Sequence, residues 1–216
     1  MILRQLQQQI GVIYDVSVTH DVYDFLVTNR QALPHAARDS VSDEELLVAA
    51  DEDAFGVSLY LDPKLLERLQ ESNPLVSLTQ ENVADYWTAL EGVSHFLYFA
   101  WNAGHDKTVT LLELELQAEI DKYVASYLLL KQQFPDRFPT ELLHVLFERT
   151  RIDSRLANGR EHLYRAATRH AEKFCRRLAQ SLRDSRSAMH EDVLAELRRF
   201  YRLTDARKVA HIERTA

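Results

Sequence analysis

The chain has 216 residues, of which 46% are apolar and 27% charged, proportions of an ordinary globular protein that exclude a disordered or fibrous one. A single cysteine, Cys175, excludes an internal disulfide and a cysteine-based zinc site. The net charge of −7 is split unevenly, since residues 1–148 carry 24 acidic against 9 basic side chains (net −15) and residues 149–216 carry 17 basic against 9 acidic (net +8).

Such a split marks either a surface for nucleic acid or an acidic partner, or two halves that neutralise each other within one fold or across a homodimer. Fifteen of the 17 cations in the later part are arginine. Met1 to Gly11 contains four Gln and no apolar core segment, unlike a secretory signal. The most apolar window, Val83 to Trp101, is long enough to span a bilayer. It carries Asp85, Glu91 and His95, which are expensive in lipid, so a buried core helix is expected. These features predict a cytoplasmic protein with no membrane segment.

In chain order, Ile10, Val12, Tyr14, Val16 and Val18 alternate strictly and predict a strand over 10–18. Thr19 or Asp21 would cap a short helix with Val22, Phe25, Leu26 and Leu33 on one face. A polar stretch from Pro34 to Asp43 reads as loop. Two apolar runs, 45–50 and 57–61, flank an acidic turn ending in Gly56 and predict a β-hairpin. Pro63 suits the first turn of a helix through Gln70.

After Pro74 the pattern turns helical. Breakers are sparse, with only 5 Gly and 5 Pro in the chain and no proline beyond Pro139. Helices are expected from Thr79 to about Asn102, from about Thr108 to Gln133, and from Thr140 to about Ile152. A fourth should follow Asn158-Gly159 and a fifth begin near Ser187, with a short tail helix after Thr204. The expected fold is therefore mostly α, a bundle of about five helices (76–216) carrying a small α+β lobe (1–75) of strand, helix, hairpin and helix.

The first two bundle helices hold the most informative pattern. On the first, Thr88, Glu91, His95 and Asn102 form a narrow polar stripe in an otherwise apolar surface. On the second, Glu115, Glu119, Lys122 and Ser126 do the same between Leu111 and Leu129. Carboxylates hemmed by apolar neighbours must find partners. Glu91 and His95 are four apart, as are Glu115 and Glu119, so each pair projects from one helix face. Converging antiparallel helices would make the four a divalent-metal site. The competing reading is a structural polar layer, with Lys122 and arginines of the fourth helix as counter-ions.

The fourth helix carries Arg165, Arg169, Arg176 and Arg183 down one side, with Lys173 and Arg177 beside them, and Glu172 and Asp184 interrupting. Such a stripe can pair with phosphates or with an acidic protein surface. Cys175, beside Phe174, is expected to be an inert core thiol. The glycines at 11, 56, 92, 104 and 159 never cluster, and no phosphate loop, dinucleotide fingerprint or hydrolase elbow is present. Three functions follow as expectations. The first is a non-enzymatic interaction protein or complex subunit, with a protein partner or a second copy, using its acidic and arginine-rich surfaces. The alternatives are a metal-dependent enzyme built on Glu91, His95, Glu115 and Glu119, and a nucleic-acid-binding accessory factor.

Overall fold

The computed structural model describes residues 1–51, 54–148, 160–183 and 191–214, with the side chains of 50–55 left aside. The expected helix end near Ile152, the Asn158-Gly159 breaker, Asp184 and the start near Ser187 lie outside the described residues, as does the centre of the acidic turn at 52–53. The fold is mostly helical with one small sheet. Among the described residues no helix is long and apolar enough to cross a membrane.

The chain opens with helix α1 (Ile2–Tyr14), which corrects the strand expected at 10–18. Leu3, Leu6, Ile10 and Ile13 recur at helical spacing and are all buried, whereas Val12, which the alternation had placed inward, is 75% exposed. The alternation was a fragment of a longer helical pattern that begins at Ile2. Asp15 ends the helix in the left-handed conformation, φ 52°. The carbonyls left over there are taken by guanidinium groups. Arg198 donates to Ile13 and Val12 at 3.2 and 3.4 Å, and Arg202 to Tyr14 and Asp15 at 3.1 and 2.9 Å. Cations at the negative end of a helix also suit its dipole.

The helix expected over 19–33 is absent. A 3₁₀ turn, Val22–Asp24, capped by the Asp21 carboxylate, leads into the two-residue strand β1 (Leu26–Val27). A second 3₁₀ turn (Arg30–Ala32) and the one-turn helix α2 (His35–Arg38) follow. Asp and Asn side chains here bond their own backbone, which favours tight turns over a continuing helix.

The hairpin is present as strands β2 (Glu44–Asp51) and β3 (Ala54–Leu61), in register from Glu44 opposite Leu61 to Asp51 opposite Ala54. β1 adds in parallel to β3, giving the order β1-β3-β2. Helix α3 (Pro63–Glu71) starts on an Asp62 cap with Pro63 in its first turn.

Helix α4 (Val83–Ala103) begins four residues later than expected. Thr79 shapes the turn before it, donating its backbone N–H to the Asn82 side chain. Helix α5 (Leu111–Gln133) opens on a full capping box in which Thr110 and Glu113 each accept the other's backbone N–H. The short α6 (Leu142–Phe147), then α7 (Glu161–Arg183), α8 (Glu191–Tyr201) and α9 (Asp205–Arg214) complete the fold. α5 is buried along most of its length between α4 and α7, while the hairpin lies across α4 and α1 packs on α4, α5 and α8. One continuous apolar core runs from Leu3 of α1 to Ile212 of α9.

Candidate metal centre

Helices α4 and α5 pack side by side, and their polar stripes do face each other. From α4 come Glu91 and His95, and from α5 come Glu115, Glu119 and Lys122. A fourth acidic residue, which the sequence reading missed, comes from the hairpin. Glu44, the first residue of β2, reaches over α4 and its Oε1 lies 3.3 Å from His95 Nδ1. The other ring nitrogen, His95 Nε2, lies 3.9 Å from Glu115 Oε1 and, although fully buried, has no hydrogen-bond partner among the described residues. Lys122 Nζ sits 2.5 Å from Glu91 Oε2 and 2.8 Å from Glu119 Oε1.

The cation expected between the stripes is thus Lys122 of α5 itself, not an arginine of α7. This corrects the expectation of arginine counter-ions for Glu115 and Glu119. α7 does approach the layer, but with Tyr164, whose hydroxyl is pushed up to about 12 by burial and by Glu115, Glu91 and Glu44.

The close approach of the hairpin depends on a missing side chain. A Cβ on Gly92 would lie 2.9 Å from Glu44 Cγ and 2.9 Å from Leu59 Cδ1. A mid-helix glycine in a glycine-poor chain signals such an approach, and it is the one sequence feature that could have pointed to Glu44's place. Gly92→Ala should therefore destabilise the fold by about 1–2 kcal/mol through overpacking, despite a gain of up to about 1 kcal/mol in helix propensity. Urea unfolding checks this, and a variant at or above wild-type stability would show that the hairpin yields without strain.

The layer carries more negative charge than its own cations balance. Four carboxylates surround one ammonium and one imidazole, and all of these side chains are largely out of water. Burial opposes a charge on His95, yet Glu44, Glu115 and Glu91 outweigh it and hold the imidazole at about 9. Burial pushes Glu115 and Glu44 upward against the pull of His95. Glu91 goes the other way, because Lys122 and His95 together overcome its burial. Without a further cation, protons carry the excess. One ligating atom each from Glu44, Glu91 and His95 lies within 4.8 Å of the others, a spacing that fits a single ion.

A second buried network lies on another side of α5, and no sequence pattern had singled it out. Asp121 accepts from Tyr14 (2.5 Å), Ser94 (2.6 Å) and Gln117 (2.9 Å). Lys208 of α9, fully buried, donates to Gln117 Oε1 at 2.7 Å, with the rings of Tyr98 and Phe200 at 4.4 and 4.9 Å. Burial pushes Asp121 up to about 6 against its three donors. Burial pulls Lys208 down to about 7 against Glu113, Asp121 and Asp205.

The arginine-rich face of α7 is laced to carboxylates of the same chain. Arg165 pairs with Glu161, Lys173 with Glu213, Arg176 with Glu172 and Glu148, and Arg177 with Glu196. Arg183 lies over the Phe138 ring, and Arg169 acts electrostatically on Glu213. Of these pairs, only Arg176–Glu148 joins the acidic part of the chain to the basic part. Cys175 is buried, and burial pushes its thiol well up, as an inert core thiol requires. Comparison with protein-family models, with curated proteins and with solved structures finds no match.

Proposed function

We propose that this is a divalent-cation-binding protein whose ion is held by Glu44, Glu91 and His95, with Glu115 closing the site. The observation that carries the reading is the buried trio itself, one ligating atom each from Glu44, Glu91 and His95 within 4.8 Å of the others, on an imidazole whose Nε2 has no hydrogen-bond partner among the described residues. A buried ring nitrogen normally finds a donor or acceptor, and leaving it bare costs about 1–3 kcal/mol. The ion would join the hairpin to α4 and α5, neutralising charge that these elements bury together. One imidazole with several carboxylates suits a first-row ion such as Mn²⁺, Fe²⁺ or Zn²⁺ more than an all-oxygen site for Ca²⁺ would. The arginine face supports a nucleic-acid or acidic-partner reading less well, because carboxylates of the same chain already engage most of it.

The test is a titration of chelator-stripped protein with Mn²⁺ and Zn²⁺ by calorimetry. One ion should bind per chain. His95→Ala and Glu91→Gln, as losses of direct ligands, should each weaken binding by at least the roughly tenfold to hundredfold that the loss of an outer-shell partner costs. Glu67→Ala, on the exposed side of α3, serves as the control. Absence of binding at millimolar metal, or binding indifferent to His95→Ala, overturns the reading.

A further inference from the structure

Lys122 stands where a second cation would. Its ammonium contacts Glu91 of α4 and Glu119 of α5, and its side chain is only 9% exposed. Water has been replaced by two carboxylates from neighbouring helices, an exchange that is favourable only with such close partners. The contact with Glu119, three residues back, would be ordinary on a helix surface. The contact with Glu91 is different, because it crosses between helices and draws the ammonium into the buried layer. Glu91 also belongs to the group with Glu44 and His95. One carboxylate is therefore shared between the ammonium and the neighbouring ligand set. Carboxylates shared between two adjacent positive centres are how helical bundles hold paired ions.

Resting on the cation reading above, we propose that the polar layer is a two-position cation site in which the Lys122 ammonium fills the second position, so that the protein takes one divalent ion where its carboxylates could hold two. Glu44, Glu91, His95 and Glu115 serve the exchangeable ion. Glu91 and Glu119 serve the ammonium, which also holds Glu91 in place for its neighbour.

The experiment compares the whole chain with its Lys122→Met variant, which keeps length and loses charge. Both are stripped of metal and titrated with Mn²⁺, and bound ions are counted by native mass spectrometry and calorimetry. The variant should bind one ion more than the wild type, two against one, and a Glu119→Gln/Lys122→Met double variant should return to one. A wild type that binds one ion beside a variant that also binds one overturns this inference alone. No ion in either overturns both readings. No ion in the wild type but one in the variant supports Lys122 as a cation surrogate and overturns the exchangeable site. Should Lys122→Met unfold without metal, folding restored by Mn²⁺ counts as the expected gain. A variant still unfolded at millimolar Mn²⁺ overturns the proposal, and Lys122→Gln should follow the same pattern.

Discussion

Asp121→Ala is expected to destabilise the protein by about 3–5 kcal/mol, because it strands three buried donors at once. Tyr14, Ser94 and Gln117 all give their hydrogen bonds to this one carboxylate, which is 2% exposed. The loss spreads across elements, since Tyr14 belongs to α1, Ser94 to α4 and Gln117 to α5. Asp121→Asn keeps the shape and an acceptor for Tyr14, so it should cost about 1–2 kcal/mol by the usual worth of a charge-assisted bond. Denaturant unfolding followed by circular dichroism measures both. An Asp121→Ala variant within about 1 kcal/mol of wild type would mean that water replaces the carboxylate, contrary to the energetics assumed for a dry network.

Lys208 should make stability rise with pH over an unusual range. Its folded-state value, pulled down to about 7, lies below the ordinary 10.5 of the unfolded chain. Below about pH 7 both states are protonated and the folded protein bears the full cost of a buried ammonium. Between about 7 and 10.5 the folded form has released its proton while the unfolded form still holds one, so the cost disappears as pH rises. The whole span is worth on the order of 5 kcal/mol. His95 opposes this trend, because its folded value of about 9 lies above the ordinary 6.5. It stabilises fully below about 6.5 and loses that contribution as pH rises through 9. The measurement is therefore the difference in unfolding free energy between wild type and Lys208→Met. That difference should move in favour of the wild type from pH 7 to 10, and a flat difference would show that Lys208 keeps its charge. The charged groups nearest Lys208, namely Glu113, Asp121 and Asp205, remain in both proteins.

The long helices were legible because they are long. α7 repeats its apolar positions over about six turns, enough for the 3.6-residue period to stand out, whereas α4 and α5, apolar nearly all round, were legible from their unbroken length and the narrow polar stripe each carries. The hairpin was legible for its two apolar runs about one turn. The first forty residues were not, since a few alternating residues near Ile10 imitate a strand and the segment after Thr19 folds by side-chain-to-backbone bonds that leave no period. In the site, the stripes of α4 and α5 could be paired from sequence because antiparallel neighbours joined by a short loop must meet. Glu44 could not be placed, because where a hairpin lands on a helix is decided by tertiary packing, with Gly92 as its only local trace. Lys122 was legible as a candidate partner. Its choice over the arginines of α7 was not, since it depends on reach: the lysine already lies on α5, whereas α7 brings Tyr164.

The guanidinium clasp on the end of α1 has a consequence for the nascent chain. Arg198 closes on the carbonyl of Ile13 across a separation of 185 residues. At ribosomal rates of about 5–20 residues per second, roughly 10–40 s pass between the synthesis of α1 and that of its cap. Throughout that interval Leu3, Leu6, Ile10 and Ile13 present an apolar stripe with no α8 beside it. Helix α1 is also too short to persist alone in water, where about 12–15 residues are already marginal. Helix α1 is thus made long before it is fully secured, and a chain arrested before Arg198 has this helix packed on α4 and α5 at most, without the cap on its C-terminal end.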